Sequence, residues 1–110
     1  MVHIVWEFLV RADRLPEFER HYSGVDGPWP QLFGKSPGFR GTFLLRNIED
    51  PRHFLTIDSW DSVVAQIRMR EQFHDEYSRL DQSCEELIES EGRVGVFEDW
   101  PSRGYKTSTP

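Results

Sequence analysis

Residues 39–60 read FRGTFLLRNIEDPRHFLTIDSW, in which two runs of alternating apolar and polar residues flank a turn. The alternation has the period of a half-buried strand, so it predicts strands over residues 39–48 and 53–60. The segment from Asn47 to Arg52 is rich in turn-forming residues, including Asp50 and Pro51. Because only this short turn separates the two strands, they are expected to pair as an antiparallel hairpin.

The elements before the hairpin are a strand, a short helix and an aromatic connection. Residues 2–10 alternate and predict the first strand. Asp13 suits an N-cap, and the spacing of the apolar residues Leu15, Phe18 and Tyr22 predicts an amphipathic helix that ends at Gly24 or Gly27. The Pro- and Gly-rich residues 27–38 carry large apolar side chains, which indicates a loop or one helical turn covering the core.

The elements after the hairpin are a long helical region and a last strand. Asp61 or Ser62 caps residues 61–91, which contain no Gly or Pro and repeat apolar residues at helical spacing. This pattern fits either one helix or two helices with a bend near residues 70–73. Residues 92–99 predict a strand, so the domain spans residues 1–100 and a polar tail spans residues 101–110.

The order of elements is therefore β-α-β-β-α-β. This order is typical of the ferredoxin-like fold, an α+β architecture. Right-handed crossovers would place both helices on one face of a four-stranded antiparallel sheet.

Both faces of the predicted sheet are apolar. One set is expected to meet the helices and comprises Val2, Ile4, Trp6, Phe8, Phe43, Leu45, Leu55, Ile57, Val94 and Val96. The other set comprises Val5, Leu9, Leu44, Phe54, Trp60 and Phe97, among Glu7, Arg46, Asp58 and Arg93. A face this apolar is usually an interface, so we predict a homodimer through it. The alternative is a one-sided sheet with scattered surface apolar residues.

Composition excludes several classes of partner. The net charge is −6 without a long basic run, so neither nucleic acid nor an anionic membrane is expected to bind. There is no apolar run of membrane-spanning length, and residues 1–6 lack the features of a signal peptide. The single Cys84 cannot form an internal disulfide, which makes the cytoplasm the expected compartment.

Three stretches resemble one family. They are Leu32-Phe33 with Ser36-Pro37-Gly38-Phe39-Arg40-Gly41-Thr42 and Leu44-Leu45-Arg46, then Phe54-Leu55-Thr56-Ile57-Asp58-Ser59-Trp60 with Ser62 and Ala65, and finally the strand Gly92–Phe97. With the order of elements, they make residues 2–99 similar to the antibiotic biosynthesis monooxygenases. That resemblance implies a dimeric α/β barrel.

The resemblance also implies an activity. Enzymes of this family oxidise aromatic polyketides with O₂ and need neither metal nor flavin, so we predict a cofactor-independent monooxygenase acting on a small planar aromatic or quinol-type substrate. The alternative is a non-catalytic ligand-binding or stress-responsive barrel. Haem degradation is disfavoured, because only His74 falls near a position used by the haem-degrading branch, whose Asn and Trp are missing here.

Seven side chains are candidates for the site. His74 has a pKa range suited to a general base and lies one helical turn from Tyr77, while Trp60 ends a strand beside the helix. These three are the catalytic candidates, although a solvated histidine and a core tryptophan are the plainer interpretations. The substrate-binding candidates are Trp29, Phe33, Arg46 and His21. No metal is expected, because the four His and one Cys show no metal-binding spacing.

Overall fold

The structure is a computed structural model that describes residues 1–22 and 26–101. The strands are β1 (Val2–Val10), β2 (Phe39–Arg46), β3 (His53–Trp60) and β4 (Ile88–Glu98). The helices are α1 (Leu15–Tyr22), α2 (Pro28–Phe33), α3 (Val63–Gln72) and α4 (His74–Glu85), and a 3₁₀ turn (Ala12–Arg14) precedes α1. The predicted helix end at Gly24 and the tail from residue 102 lie outside the described residues.

The sheet has the predicted topology. Its strand order is β2-β3-β1-β4, and every neighbouring pair is antiparallel. Each crossover carries two helices, and buried side chains from all four helices pack on the same face of the sheet. The predicted α+β, ferredoxin-like fold is therefore confirmed.

Local sequence explains where α3 and α4 begin and end. The Ser62 hydroxyl accepts a hydrogen bond from the Ala65 amide at 3.1 Å, which caps the start of α3. Gly38 packs against the same turn, and a Cβ at this position would lie 2.6 Å from the Ala65 Cβ. The helical region breaks at Phe73, where φ and ψ are −111° and 32°. Of the two predicted alternatives, two helices with a bend is the correct one.

The last strand begins four residues earlier than predicted. Helical spacing placed Leu87 and Ile88 on the last helix, but the helix ends at Glu85 and both residues are buried at the end of the sheet. Ile88 pairs with Val10, and the Arg11 amide donates a hydrogen bond to the Leu87 carbonyl at 2.9 Å. Pairing with β1 therefore overrides the helical periodicity of this segment.

The predicted faces of β2 and β3 are inverted. Ile4 pairs with Asp58, and Asp58 pairs with Thr42, so Asp58 faces the helices. Residues expected there instead lie on the open face, namely Phe43, Leu45, Leu55 and Ile57. Conversely, Leu44, Phe54 and Trp60 point to the helices. Alternation was correct within each strand, but it does not fix which way a whole strand faces.

Two bulges change which way residues near them face. In β2 the register shifts between Phe39 and Gly41, whose φ of 143° lies in a region that strongly favours glycine. In β4 the shift at Val94 turns Arg93 to the helix side, opposite Trp6, whereas the sequence predicted the other face for Arg93. Val94, predicted in the core, is 51% exposed.

The core has two clusters. One lies under α2, α3 and α4, and the other lies mainly under α1. Trp6 and Tyr22 are partly buried and pack against both clusters. The first comprises Ile4, Trp29, Leu32, Phe33, Trp60, Met69 and Cys84, and the second comprises Phe8, Val10, Phe18, Phe54, Leu87 and Ile88. The space between the clusters is where the cavity described below lies.

The open face of the sheet is apolar and accessible. Phe43 is 60% exposed, and Leu45 and Phe97 are also exposed. Among these apolar residues, Glu7 Oε1 lies 2.9 Å from His53 Nε2. No helix in the described part of the chain has both the length and the hydropathy needed to cross a bilayer.

Candidate functional site

Two adjoining cavities lie between the sheet and the helices, and we treat them as the two lobes of one site. The first lobe has a volume of about 140 Å³ and the second about 230 Å³. Both lobes share the walls Trp6, Phe33, Asp58, Arg70 and Tyr77. The first is completed by Phe8, Tyr22, Trp29, Thr56, Asp81, Cys84, Glu85, Ile88 and Glu91. The second is completed by Ile4, Trp60, Val63, Gln66, Ile67, Met69, Arg93 and Val96.

Asp58 is the buried acid of this cavity. It lies on β3, is only 8% exposed, and reaches both lobes. The Thr42 hydroxyl donates a hydrogen bond to Asp58 Oδ1 at 2.6 Å. Burial raises the pKa of the Asp58 carboxyl from 3.8 to about 6, although the bond from Thr42 acts in the opposite direction. A carboxylate with such a pKa is mostly ionised at neutral pH yet basic enough to accept a proton.

Two tyrosine hydroxyls line the first lobe. Burial raises the pKa of Tyr77, with the Arg70 charge opposing it, and burial raises the pKa of Tyr22 well above its ordinary value. Both side chains are therefore protonated at neutral pH and can donate hydrogen bonds. The Arg70 guanidinium lies 4.8 Å from the centre of the Tyr77 ring, a cation–π contact at the mouth of the cavity.

Aromatic rings give the first lobe its shape. The Trp29 ring lies 6.3 Å from Tyr22 in a stacked arrangement and 5.2 Å from Tyr77 edge-on. Its indole N–H donates to the Cys84 sulfur at 3.3 Å, which fixes the ring plane. Walls of this kind fit a flat aromatic ligand better than a globular one.

Cys84 lies in the wall of the first lobe as a thiol. Burial raises its pKa, and the hydrogen bond from Trp29 opposes that shift. Since the thiolate is the nucleophilic form, this side chain is a poor nucleophile at neutral pH. We assign it to the wall of the lobe and to the contact with Trp29.

The structure brings four of the predicted site residues to the cavity. Tyr77 and Phe33 line both lobes, and Trp29 lines the first. Trp60 lines the second lobe but is 1% exposed, and its ring packs between Phe33 and Phe39 at 5.4 and 5.2 Å. Trp60 therefore combines a core role with one edge on the cavity.

The other three predicted residues lie outside the described walls of both lobes. The His74 side chain is 76% exposed beside Asp75, in an open groove along α3 and α4 that also contains Tyr77. His21 hydrogen-bonds through Nδ1 with the Glu17 carbonyl at 2.7 Å on α1. Arg46 is exposed at the end of β2.

Asp58, Trp6 and Tyr22 line the cavity but were not among the site residues predicted from the sequence. The sequence pattern placed Asp58 on the other face of the sheet, whereas it faces the helices and accepts a hydrogen bond from Thr42. One signal could have located it. Asp58 alternates in phase with Phe54 and Trp60, the largest apolar residues of β3, and such residues belong in the core.

The described residues offer no arrangement for a metal ion. No group of three or more His, Cys, Asp or Glu side chains among them is suitably placed. The ionisable groups that the cavity does present are the carboxyls of Asp58, Asp81, Glu85 and Glu91, the hydroxyls of Tyr22 and Tyr77, the Cys84 thiol, and the guanidinium groups of Arg70 and Arg93.

Comparison with known proteins supports the fold. Residues 1–74 match the family model for antibiotic biosynthesis monooxygenase. The structure is similar to SnoaB, a cofactor-independent oxygenase from Streptomyces nogalater, with a TM-score of 0.76 and 21% identity over 94% of this chain and 97% of that one. At this identity the likeness establishes the fold.

Two further structures have the same fold. PA3566 from Pseudomonas aeruginosa has a TM-score of 0.68 and 14% identity over 91% of this chain and 94% of its own. A conserved protein from Methanosarcina mazei Go1 has a TM-score of 0.68 and 11% identity over 90% and 92%. No curated protein matches this chain.

Proposed function

Because this chain belongs to the antibiotic biosynthesis monooxygenase family, we propose that it is a cofactor-independent monooxygenase of a small planar aromatic or quinol-type substrate. One observation carries the proposal. The buried carboxylate of Asp58, with a pKa of about 6, lies in the wall of an aromatic-lined cavity between sheet and helices. SnoaB, which shares the fold, is described as a cofactor-independent oxygenase.

The chemistry starts with a proton transfer. Asp58 accepts a proton from the phenolic or activated CH₂ group of the substrate, leaving an electron-rich anion. The anion gives one electron to O₂, and the resulting radical and superoxide combine into a peroxide anion. This anion takes the proton back from Asp58 and becomes a hydroperoxide, which returns the carboxylate to its starting state. For a CH₂ group, loss of water from this hydroperoxide leaves a carbonyl, so one oxygen atom enters the product and the other leaves as water.

The cavity supplies donors for the charge that develops. The Tyr22 and Tyr77 hydroxyls remain protonated at neutral pH and line the same lobe as Asp58. Donors fixed by packing stabilise an oxyanion without reorganising when it forms. We assign Asp58 as the base, the two tyrosines as donors, and Trp6, Trp29 and Phe33 as the walls that hold the ring. His74, His21, Arg46 and Trp60 stay the sequence-based candidates that the same assay can test.

The proposal includes a homodimer through the open sheet face. Support comes from the apolar side chains exposed there, Phe43, Leu45 and Phe97, because contiguous apolar patches on a protein surface are usually interfaces. The cytoplasm remains the proposed compartment, in keeping with the free thiol of Cys84.

Oxygen uptake tests the proposed function. Metal-free protein in chelator, without flavin or nicotinamide, is given anthrones, naphthols and hydroquinones. Turnover above the buffer rate is expected to fall on the order of 10²- to 10⁴-fold in Asp58→Asn. Asp13→Asn, an exposed carboxylate-to-amide change outside the cavity, is the matched control. Turnover that survives Asp58→Asn would exclude Asp58 as the base, and tight binding without uptake would favour the ligand-binding alternative.

A further inference from the structure

The two lobes of the cavity carry charges of opposite sign. The ionisable side chains of the first lobe, apart from tyrosines and the thiol, are the carboxyls of Asp58, Asp81, Glu85 and Glu91, and the Arg70 guanidinium. Those of the second lobe are the Asp58 carboxyl and the guanidinium groups of Arg70 and Arg93. Asp58 and Arg70 line both lobes, so the difference in charge comes from the other residues. Asp81, Glu85 and Glu91 make the first lobe acidic, and Arg93 makes the second lobe basic.

The edge strand β4 builds this polarity. Glu91 pairs with Phe8 and Arg93 with Trp6, so both side chains face the helices and lie one above the other along the strand. Residues two apart on a regular strand point to the same face. The register shift at Val94 lies beyond Arg93, so it does not separate Glu91 from Arg93. Glu91 and Arg93, with opposite charges, therefore line the first and the second lobe respectively.

The acidic lobe is acidic enough to affect its own groups. Burial raises the pKa of Glu91, and the neighbouring carboxylates of Asp81 and Glu85 add to the increase. A ligand group that is positively charged, or that donates hydrogen bonds, would relieve this repulsion. A carboxylate on the ligand would increase it.

The basic lobe has cations without carboxylate partners. Within the described residues neither Arg70 nor Arg93 forms a salt bridge, and Arg70 makes its cation–π contact with the Tyr77 ring. The remaining walls of this lobe are mostly apolar, including Ile4, Trp60 and Val96. An arginine beside apolar walls suits an aromatic carboxylate, which offers a flat ring and a planar acceptor for the guanidinium.

We propose that the cavity orients its substrate by charge. The substrate is an elongated planar aromatic with a carboxylate at one end, bound beside Arg93, and with hydroxyl or amino donors at the other end, bound among Asp81, Glu85 and Glu91. The reacting group then lies between the lobes, at Asp58. This inference rests on the proposed function for the identity of the site and adds the substrate class and its direction of binding.

Three naphthols that differ only in charge test this orientation. They are 2-naphthol, 6-hydroxy-2-naphthoate and 6-(aminomethyl)-2-naphthol, and their Kd is measured without O₂ from quenching of tryptophan fluorescence, since Trp6 and Trp29 line the cavity. Arg93→Gln should weaken naphthoate binding about tenfold, equivalent to about 1.4 kcal/mol, and leave 2-naphthol unchanged. Glu91→Gln should weaken the aminomethyl compound by a similar factor and spare the naphthoate.

Matched controls lie outside the cavity. Arg68→Gln on α3 and Glu19→Gln on α1 are exposed and should leave all three Kd values unchanged. The inference is overturned if no naphthol binds, or if Arg93→Gln weakens all three naphthols equally, because the arginine would then act through packing alone.

The test separates this inference from the proposed function. Charge-selective binding without oxygen uptake would refute the monooxygenase proposal and leave the orientation intact. Oxygen uptake that proceeds without any charge preference in binding would refute the orientation and leave the monooxygenase proposal intact.

Discussion

Replacing Asp58 by asparagine should stabilise the folded protein while removing its base. The Thr42 hydroxyl donates to Asp58 Oδ1 at 2.6 Å, and an amide oxygen in the same place can still accept this bond, although more weakly than a carboxylate. Asparagine and aspartate have almost the same shape, so packing around the site should be retained. The substitution therefore removes chiefly a charge from a side chain that is 8% exposed.

The size of the effect follows from the pKa of Asp58. Its carboxyl has a pKa of about 6 in the folded chain and an ordinary value of 3.8. Between these values the folded state binds more protons than the unfolded state, so stability falls as the pH rises through this window. At about 1.4 kcal/mol for each pH unit, the full cost above pH 6 is about 3 kcal/mol. The Asp58→Asn variant should recover this free energy at neutral pH and almost none of it below pH 4.

Urea unfolding at two pH values measures the gain. With a slope of about 1.5 kcal/mol per M, the midpoint of Asp58→Asn should be about 2 M higher than that of the parent at pH 7.5. At pH 4 the same two pKa values leave a gain of only about 0.5 kcal/mol, so the midpoints should differ by no more than about 0.4 M. Both values avoid the isoelectric point near 5.1, where association is favoured, and all samples need equal protein concentration.

The control and the refuting results are specific. Asp13→Asn, an exposed carboxylate, should shift the midpoint by less than about 0.5 kcal/mol at either pH. A variant less stable than the parent at pH 7.5 would mean that Asp58 makes favourable interactions as an anion. A gain of the same size at both pH values would show that its charge is not the cause.

Four other outcomes are expected. The kcat/KM on a naphthol substrate should rise with pH, reach half its maximum near pH 6 and level off about one pH unit higher, and the rise should be lost in any residual activity of Asp58→Asn. Phe43→Lys on the open face should convert dimer to monomer in analytical ultracentrifugation, whereas Ile48→Lys, 98% exposed in a turn, should not; a monomeric parent would refute the interface. Phe18→Ala should cost about 3–5 kcal/mol in urea unfolding, because the ring is fully buried and lies 5.1–5.4 Å from Phe8, Tyr22 and Phe54, and a cost below about 1 kcal/mol would contradict this packing. Cys84 should resist a thiol reagent at pH 8 until urea unfolds the protein, and rapid reaction of the native protein would show that the wall of the first lobe opens.

Structural features that depend only on neighbouring residues could be predicted from the sequence. The alternation in residues 39–60 predicted the hairpin, and β2 and β3 pair as expected. The Ser62 cap and the apolar spacing predicted the helical region, and the aromatic run after Gly27 forms a short helix with Trp29 and Phe33 buried on the core. These features depend on periods of two and 3.6 and on side chains that bond to nearby backbone, which the sequence itself contains.

The site depended on features that are not local. Alternation is unchanged when a strand is turned over, so Asp58 was assigned to the wrong face until pairing with Ile4 and Thr42 fixed its direction. His74 satisfied helical spacing with Tyr77, yet at the first residue of α4 its side chain is in solvent, while Tyr77 lines the cavity. No single stretch contains the burial that raises the pKa of Asp58, because that burial comes from helices distant in sequence.

The sequence by itself determined the order and type of the elements, since these follow from side-chain periods and caps within short segments. The tertiary structure decided which sheet face meets the helices, where the last strand begins, and which polar groups share the cavity. The direction of β3 follows from its pairing with β1, and that of β2 follows from its pairing with β3. The bulge at Val94 shifts the register of β4 against β1. Desolvation then acts on the groups brought together, which raises the pKa of Asp58.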